Sequence, residues 1–237
     1  MPRRPRGWEV VVFAVALAVS GLVALTLVFA GPATYADIAL APDRPATTFR
    51  DIDGERTRGP GALIGAQVTM APEALLQLHR AWAAYVTGRS DHQPPATTPE
   101  FFTGRERAHM ADVRNVFIAA QVAALVAVLL LVWLAANAWR GGSLARLVRA
   151  GSLSALALVA VVGIVAAVAF EAAFLLFHQI FFPQGNFLFE PGSNLLALYP
   201  QEYFYGVTLR IGAAFVAGAL VLAAAAHASL RVRGASA

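Results

Sequence analysis

Four long apolar runs divide the chain, and segments of mixed composition separate them. The runs extend over residues 10–30, 115–139, 151–177 and 205–226. Glu171 and Arg210 are the charged residues within them. Because about 20 apolar residues in a helix cross the hydrocarbon core of a bilayer, the pattern predicts four transmembrane helices.

Residues 31–112 form an insert of different composition between the first two runs. Charges of both signs alternate with Pro- and Gly-rich points such as Gly59-Pro60-Gly61, and no stretch is apolar enough to span. Short β-prone segments at Thr47–Phe49 and Ala62–Thr69 predict a small sheet. The expected fold is an all-α membrane protein: a four-transmembrane-helix bundle in one integral membrane domain, residues 1–237, with a small extracytoplasmic insert of partly mixed α/β structure.

The second half of this insert changes to a helical pattern at Pro72. Apolar side chains then recur at spacings of three and four residues, at Leu75, Leu78, Trp82 and Tyr85. Gly88 supplies the expected stop. His79 lies on this helix beside Arg80, and the pattern favours a solvated or packing role for it.

The second transmembrane helix is predicted to begin before its apolar run, at a capping box. In Thr103-Gly104-Arg105-Glu106, the Thr oxygen and the Glu carboxylate can each accept a hydrogen bond from a backbone N–H that is unpaired at a helix start. Glu106, His109 and Asp112 follow at three-residue intervals. With a rise of about 1.5 Å per residue, His109 lies about 10 Å above Val116, near the lipid headgroups.

Composition agrees with a membrane protein, since 58% of the 237 residues are apolar and 14% are charged. An ordinary soluble domain carries about 25% charged residues. The chain contains no Cys, which excludes disulfides, thiolate metal sites and a catalytic thiol. The formal net charge of +4 comes from Arg beside the apolar runs, a placement typical of membrane flanks, and no nucleic-acid partner is predicted.

Arg residues mark one side of the predicted bundle. They are Arg3, Arg4 and Arg6 before the first run, Arg140, Arg146 and Arg149 between the second and third, and Arg231 and Arg233 after the fourth. Because cytoplasmic flanks collect basic residues, both termini are expected inside, with the insert and the 178–204 loop outside. A cleaved secretory signal is the alternative for the first run, but its apolar core would span about 7–15 residues. An uncleaved anchor is therefore favoured.

The loop over residues 178–204 is rich in aromatic side chains, which concentrate at membrane interfaces. They include Phe181, Phe182, Phe187, Phe189, Tyr199 and Tyr203. His178 begins this loop, and the third helix delivers it to the outer side. Since His109 reaches a similar depth on a helix of opposite direction, the two imidazoles are predicted to converge.

Glu171 and Arg210 are predicted to form a buried ion pair. A carboxylate within a span is costly unless it has a partner or faces a cavity. Glu171 precedes His178 by seven residues, on nearly the same helix face. Its expected pairing with Arg210 would brace the third and fourth helices.

Several chemistries are open to the two histidines. Imidazole with carboxylates from Glu106, Asp112 or Glu171 suits Zn²⁺, but no HExxH motif occurs. A Ser nucleophile would be Ser193, near His178, yet no GxSxG motif surrounds it. Purely structural histidines at helix ends are a further alternative. General acid–base catalysis suits imidazole because its pKa lies near neutrality.

Three segments resemble the bacterial lipoprotein intramolecular transacylase family of small integral membrane proteins. One leads into the second run, and the other two lie between the end of the third run and the start of the fourth. The three segments are FFTGRERAHMADVRNVF, Phe101–Phe117, then FLLFHQIFFPQGNFLFEP from Phe174, and LYPQEYF. The order ExxHMxDV, FHxxFF and a Pro-containing aromatic loop is a specific pattern. The four-span layout resembles that family as well.

The resemblance implies a cofactor-independent acyltransferase in the bacterial cytoplasmic membrane. In this family the sn-2 acyl chain of an S-diacylglyceryl-cysteine moves to the α-amino group of that cysteine, which gives a lyso-form lipoprotein. The implied partners are a diacylated lipoprotein substrate and membrane lipid, and no metal is expected. The family's two essential histidines fall at His109 and His178. Supporting or substrate-positioning roles are predicted for Glu106, Asp112, Glu171 and Arg210.

Acid–base chemistry agrees with this hypothesis, because an amine must be neutral to attack an ester and the departing glyceryl oxygen needs a proton. Nucleophile and ester lie in one molecule, so orientation can lower much of the barrier. Two alternatives belong to other classes. One is a non-catalytic membrane protein that binds lipids or a partner through the aromatic loop, and the other is a metal-dependent membrane hydrolase.

Overall fold

The computed structural model describes residues 4–52, 67–94 and 101–235. Its helices are α1 (Gly7–Phe29), α2 (Pro32–Ala39), α3 (Pro72–Val86), α4 (Gly104–Arg140), α5 (Leu144–Val168), α6 (Phe170–Phe181), α7 (Asn194–Leu198) and α8 (Gln201–Ala235). Strands β1 (Thr48–Arg50) and β2 (Gln67–Thr69) lie between α2 and α3 in the chain. The described chain is therefore mainly helical.

Four of these helices are long and apolar enough to cross a membrane. They are α1, α4, α5 and, over Gln201–Val232, α8. Helix α4 contains 37 residues, more than about 30 Å of hydrocarbon requires at about 1.5 Å per residue. Its uncharged run starts at Asn115, so the helix begins well before its apolar part. The predicted all-α membrane fold with four spanning helices is confirmed.

The chain divides into two compact units. The first contains residues up to Val28, Ala120–Phe170 and the chain from Thr208. The second contains Phe29–Ala119 and Glu171–Val207. The single integral membrane domain stays a prediction. Each unit has its own buried core.

Small side chains dominate the core of the first unit. Ala14 of α1, Ala155 of α5 and Ala219 of α8 are buried together. At Gly151 of α5, an added Cβ would lie 2.3 Å from Cδ1 of Phe13, so the aromatic ring occupies the space that a larger residue would need. Membrane helices approach closely at such small residues because van der Waals packing largely drives their association.

Aromatic side chains dominate the core of the second unit. Tyr35, Phe49 and Trp82 are at most 1% exposed. The ring centroids of Phe49 and Phe101 lie 5.4 Å apart in an edge-to-face arrangement, as do those of Trp82 and Phe102. Such pairs stabilise by about 0.5–1.5 kcal/mol beyond the burial of their area. This core connects α3 with the segment before α4.

A small antiparallel sheet lies beside this core. Strands β1 and β2 pair with Thr48 opposite Thr69. On the other edge of β1, the Asn194 side chain accepts a hydrogen bond from the Arg50 N–H at 2.7 Å and donates one to the Arg50 carbonyl at 2.8 Å. The predicted sheet is therefore present, although most of the segment Ala62–Thr69 lies outside the described residues.

Helix α3 follows its predicted pattern. Leu75 and Trp82 are buried, and Gly88 follows the helix at φ 79°, a conformation that glycine adopts without strain. His79 is 1% exposed, and its ring stacks on Tyr35 with centroids 4.2 Å apart. Of the two roles predicted for His79, packing is the one observed.

The third apolar run differs from the single helix expected over residues 151–177. Helix α5 ends at Val168 and α6 begins at Phe170, with Ala169 between them at φ −121° and ψ 50°. β-Branched residues are frequent before the break, and their helix propensity is lower than that of Ala or Leu. Helix α6 then extends past His178 to Phe181, so the predicted 178–204 loop contains helical residues at its start.

Candidate active site

Glu106 connects the start of α4 to the segment around α7. It accepts hydrogen bonds from the Thr103 N–H at 2.7 Å and the Leu195 N–H at 3.0 Å, and the Ser193 hydroxyl also donates to it. The Glu106 N–H donates to Thr103 Oγ1 at 3.2 Å, which completes the predicted capping box. Glu106 is 2% exposed. These hydrogen bonds hold in place the helical turn that precedes His109.

His109 lies one turn later in α4 and is 6% exposed. Its ring packs against Phe182 and Phe189, with centroid distances of 4.8 and 5.4 Å. Its Nδ1 lies 3.4 Å from Oδ1 of Asn186. Aromatic rings therefore enclose the imidazole, and the amide oxygen of Asn186 faces its Nδ1 atom.

Asn186 links His109 to Asp112. Its Nδ2 donates to Oδ2 of Asp112 at 2.5 Å. Gln184 donates to the same carboxylate oxygen at 2.9 Å. Because an ionised carboxylate only accepts hydrogen bonds, it orients the amide groups that face it. Asp112, predicted as a supporting residue, thus reaches His109 through Asn186.

His178 lies in α6, and its Nδ1 is 2.8 Å from the carbonyl oxygen of Phe174. A carbonyl only accepts hydrogen bonds, so Nδ1 carries the hydrogen and Nε2 keeps its lone pair. Burial lowers the pKa of His178 below its ordinary value of 6.5, and the hydrogen bond to Phe174 opposes this shift. His178 is therefore neutral at neutral pH, with a basic Nε2.

The structure brings His109 and His178 together in the second unit. Their ring centroids lie 6.2 Å apart, with an angle of 20° between the planes. Phe182 lies beside both rings, 4.8 Å from His109 and 5.5 Å from His178. Two imidazoles at this separation can both reach one substrate group, and their catalytic role stays a prediction.

The other two predicted supporting residues lie elsewhere in the chain. Glu171 is in the first turn of α6, in the second unit, and its side chain is exposed. Arg210 is in α8, within the first unit. Their predicted ion pair stays a prediction.

Alternative chemistries receive little support from the described part of the chain. In residues 4–52, 67–94 and 101–235, no group of three or more His, Asp or Glu side chains is arranged to hold a metal ion. The hydroxyl of Ser193 donates to Glu106 and accepts a hydrogen bond from the Leu196 N–H. Ser193 thereby acts as the cap of α7.

Asn186 and Gln184 were missed as site residues from the sequence. Both lie in the loop after α6, where the pattern drew attention to aromatic rings. An amide side chain has no periodic signal, and its role depends on which partners the loop brings near it. The available clue was the position of QGN between two aromatic clusters, six to eight residues after His178.

A model of one protein family covers most of this site. The family is described as Lipoprotein intramolecular transacylase Lit, and its model matches residues 62–204, more than half of the 237 residues. The chain belongs to this family. The matched range of the transacylase family includes His109, His178 and Asn186.

Solved structures of the membrane integral lipoprotein intramolecular transacylase Lit from Bacillus cereus share the fold. One has a TM-score of 0.71 at 16% identity and covers 95% of this chain and 96% of that chain. A form with one histidine replaced by arginine has a TM-score of 0.68 at 14% identity, with 97% and 94% covered. A form with alanine in place of a histidine has a TM-score of 0.67 at 15% identity, with 95% and 94% covered. Among curated proteins, none matches this chain.

Proposed function

We propose that this chain is a cofactor-independent membrane acyltransferase that acts on a diacylated lipoprotein. It moves the sn-2 acyl chain of an S-diacylglyceryl-cysteine to the α-amino group of the same cysteine and leaves a lyso-form lipoprotein. The observation that carries the proposal is the approach of His109 and His178, whose ring centroids lie 6.2 Å apart. Membership of the transacylase family supports the same class of reaction.

The reaction forms one bond and breaks one. The amine nitrogen attacks the ester carbonyl carbon, and the bond from that carbon to the sn-2 glyceryl oxygen then breaks. Because the ordinary pKa of an α-amino group is about 7.7–8.0, most of the substrate is an ammonium ion at neutral pH. Its nitrogen loses one proton before attack and a second as the amide forms, while the glyceryl oxygen gains one. One proton is therefore released to solvent in each turnover.

His178 accepts the first proton in this scheme. It is the more exposed imidazole of the pair, so a proton taken from the ammonium ion can pass from it to solvent. Burial lowers the pKa of His178 below 6.5, which keeps Nε2 available at neutral pH. Conversion is expected to fall as pH decreases through this lowered pKa, because a protonated His178 cannot deprotonate the substrate.

His109 carries out the second transfer. Its Nε2 accepts the proton of the attacking nitrogen and then donates it to the departing glyceryl oxygen. The enclosed position of His109, 6% exposed, limits exchange of this proton with water. A general acid–base group of this kind contributes about 10² to 10⁴ in rate.

The surroundings of His178 fit a substrate with acyl chains. Phe174, Phe177 and Phe187 lie around its ring, with centroids 4.2, 5.5 and 5.1 Å away. These side chains offer apolar surface to the ester's acyl chain, and membrane lipid is the medium from which the substrate arrives. Since nucleophile and ester belong to one molecule, their correct orientation can lower much of the activation barrier without a cofactor or a covalent intermediate.

In this proposal the reaction takes place on the extracytoplasmic side of the bacterial cytoplasmic membrane. The Arg residues that flank the apolar helices support cytoplasmic termini and a cytoplasmic turn between α4 and α5. Four membrane crossings with this orientation leave the segment before α4 and the segment after α6 outside. Diacylated lipoproteins with peptide outside the membrane would meet both histidines there.

A synthetic dipalmitoyl-S-glyceryl-cysteine peptide provides the test. The peptide is incubated with lipid vesicles that contain the purified chain, with empty vesicles as the control. Because the transfer is an isomerisation, the intact mass does not change, and fragmentation must locate the acyl chain on the cysteine nitrogen. We expect N-acylated, lyso-glyceryl peptide to accumulate in the vesicles that contain the chain and not in the empty vesicles. Binding of the peptide without conversion would contradict the proposal and favour a lipid-binding protein.

A mixed-label experiment tests whether the transfer is intramolecular. Two substrates are combined, one with a heavy peptide and heavy acyl chains and one with neither label. Intramolecular transfer keeps heavy acyl chains on heavy peptide in every product molecule. Products that combine a heavy acyl chain with a light peptide would show transfer between molecules and overturn this part of the proposal.

A further inference from the structure

We infer that Asn186 is a positioning residue which, with Asp112, holds the His109 imidazole in the tautomer that carries its hydrogen on Nδ1. The three side chains form a continuous series, with Asn186 bonded to Asp112 at 2.5 Å and 3.4 Å from Nδ1 of His109. This inference rests on the proposed function, since it concerns the histidine that moves the amine proton. It adds a residue from the loop after α6 to the machinery.

The Asp112 carboxylate determines which way the Asn186 amide faces. A carboxylate presents only acceptors, so the group 2.5 Å from it must be the amide NH₂. The amide is planar, and its oxygen therefore points away from Asp112 toward His109. Gln184 supports this arrangement with a donor 2.9 Å from the same carboxylate oxygen and 3.4 Å from the Asn186 oxygen.

The orientation of Asn186 in turn determines the tautomer of His109. An amide oxygen only accepts hydrogen bonds, so the hydrogen of the neutral ring lies on Nδ1 and the lone pair lies on Nε2. When Nε2 takes a proton, the negative charge of Asp112 acts on the imidazolium through the polarised amide. In serine proteases, amide replacement of the carboxylate that fixes the imidazole tautomer lowers kcat about 10⁴-fold.

The charged and titratable groups around His109 come from α4 and α6. Asp112 lies on the same helix and acts through Asn186, and His178 faces the ring from α6. Glu106 lies one turn earlier in α4 and is bonded to Ser193 and Leu195. The loop between α6 and α7 supplies neutral amides to the site. Arg105 of α4 faces the same loop, where its guanidinium donates to the Gly185 carbonyl at 3.5 Å and lies 5.8 Å from the Phe189 ring centroid. Moving the carboxylate from position 112 to position 186 therefore brings a negative charge closer to Nδ1 of His109.

Exchange of the two side chains gives a test that preserves shape. In the double variant Asp112→Asn with Asn186→Asp, an amide at 112 faces a carboxylate at 186, and that carboxylate now contacts Nδ1 of His109 directly. A carboxylate beside a histidine favours its protonated form by about 1–3 pH units. A His109 that is already protonated cannot accept the proton of the attacking nitrogen, so a raised pKa of His109 would set the acid limb in place of His178. We expect the double variant to retain conversion, with its acid limb about one unit or more higher.

A single substitution at position 186, compared with a control substitution elsewhere in the chain, tests how much activity depends on the Asn186 amide. Asn186→Ala removes the oriented acceptor and is expected to lower kcat several-fold, with KM little changed, because only part of the His109 population then keeps the tautomer whose Nε2 can accept a proton. Asn137→Ala, which removes an amide from the far end of α4, should retain the kcat and the pH profile of the original chain. Equal kcat in Asn186→Ala and Asn137→Ala would overturn the inference.

Ring ¹⁵N chemical shifts provide a readout that does not depend on conversion. In ¹⁵N-histidine-labelled protein, the His109 signals are assigned by their loss in His109→Gln. We expect the shift pattern of an Nδ1–H tautomer in the original chain and a tautomeric mixture in Asn186→Ala. An Nε2–H tautomer in the original chain, or an unchanged pattern in Asn186→Ala, would refute the inference even if the lipopeptide is converted. A chain with the Nδ1–H pattern but without conversion would instead refute the proposed function.

Discussion

The interiors of the two compact units are stabilised by different interactions. In the first, Ala14, Ala155 and Ala219 meet in a core of small apolar residues. In the second, polar side chains join segments that are far apart in sequence, such as Asn194 with Arg50, separated by 144 positions. Packing of apolar side chains stabilises the first unit, whereas the second combines an aromatic core with buried hydrogen bonds between distant segments. The candidate active site lies in the unit whose geometry a single polar substitution can alter.

The largest effect is expected at the two histidines. His109→Ala and His178→Ala should each lower conversion of a diacylated lipopeptide by about 10² to 10⁴, because each removes a general acid–base group. Fragmentation mass spectrometry of the product measures the rate. The control is His92→Ala, since His92 is exposed in a turn after α3. A His178→Ala variant with the original rate would remove this residue from the mechanism.

Glu106 and Glu9 allow a comparison of one residue type in the two units. Glu106→Ala leaves several donors of the second unit without an acceptor and should reduce the free energy of unfolding by about 3 kcal/mol or more, at about 1–3 kcal/mol for each buried group. Glu9 accepts from the Arg6 N–H at the exposed start of α1. Glu9→Ala should cost about 1 kcal/mol or less. Equal losses in thermal or denaturant unfolding would contradict the proposed contrast.

The second unit should also lose stability in acid through His79. Burial lowers the pKa of His79 from 6.5 to about 4, although the backbone of Gly31 and Ala30 opposes the shift. Above about pH 6.5 both states are neutral, whereas at lower pH the unfolded state gains a proton that the folded state excludes. Between pH 7 and pH 4, stability should therefore fall by about 3 kcal/mol at about 1.4 kcal/mol per pKa unit.

His79→Phe is the matched variant for this acid effect. It keeps a ring that can stack on Tyr35 but has no titratable group. Unfolding of both proteins is measured across the same pH range, and the difference between them isolates the contribution of His79. An identical decline in the two proteins would assign the acid sensitivity to other groups.

The smallest effect is expected in the first unit, where shape alone is altered. Gly151→Ala introduces a Cβ 2.3 Å from Phe13, and such overpacking typically costs about 1–3 kcal/mol. At Gly163, also in α5, an added Cβ meets nothing within 4 Å. Gly163→Ala should be neutral or stabilise by about 0.5–1 kcal/mol because Ala favours the helix. Equal destabilisation at both positions would show that contact with Phe13 is not the cause.

The four spanning helices could be predicted because the signal for each is contained in its own residues. An uncharged run such as Asn115–Trp139 needs no knowledge of the rest of the chain. The same holds for the capping box from Thr103 to Glu106, whose partners are three residues apart. Local patterns of this kind predicted the fold class and the depth at which His109 was expected.

Features that depend on distant partners could not be predicted in the same way. Asn186 acquires its position because the loop after α6 approaches Asp112, 74 positions earlier. His79 is buried because Tyr35, from another helix, covers its ring. Sequence spacing indicated which histidines could converge, but it could not identify the amides that orient them.

The double variant His109→Ala with His178→Ala tests whether the two imidazoles act as one unit on a single amine and ester. Residues that act together lose activity non-additively. Conversion of the synthetic lipopeptide is measured for both single variants and the double variant in identical vesicles. We expect the double variant to be little slower than the slower single variant. A double-variant loss equal to the product of the two single losses would show that the histidines act independently and would contradict the shared site.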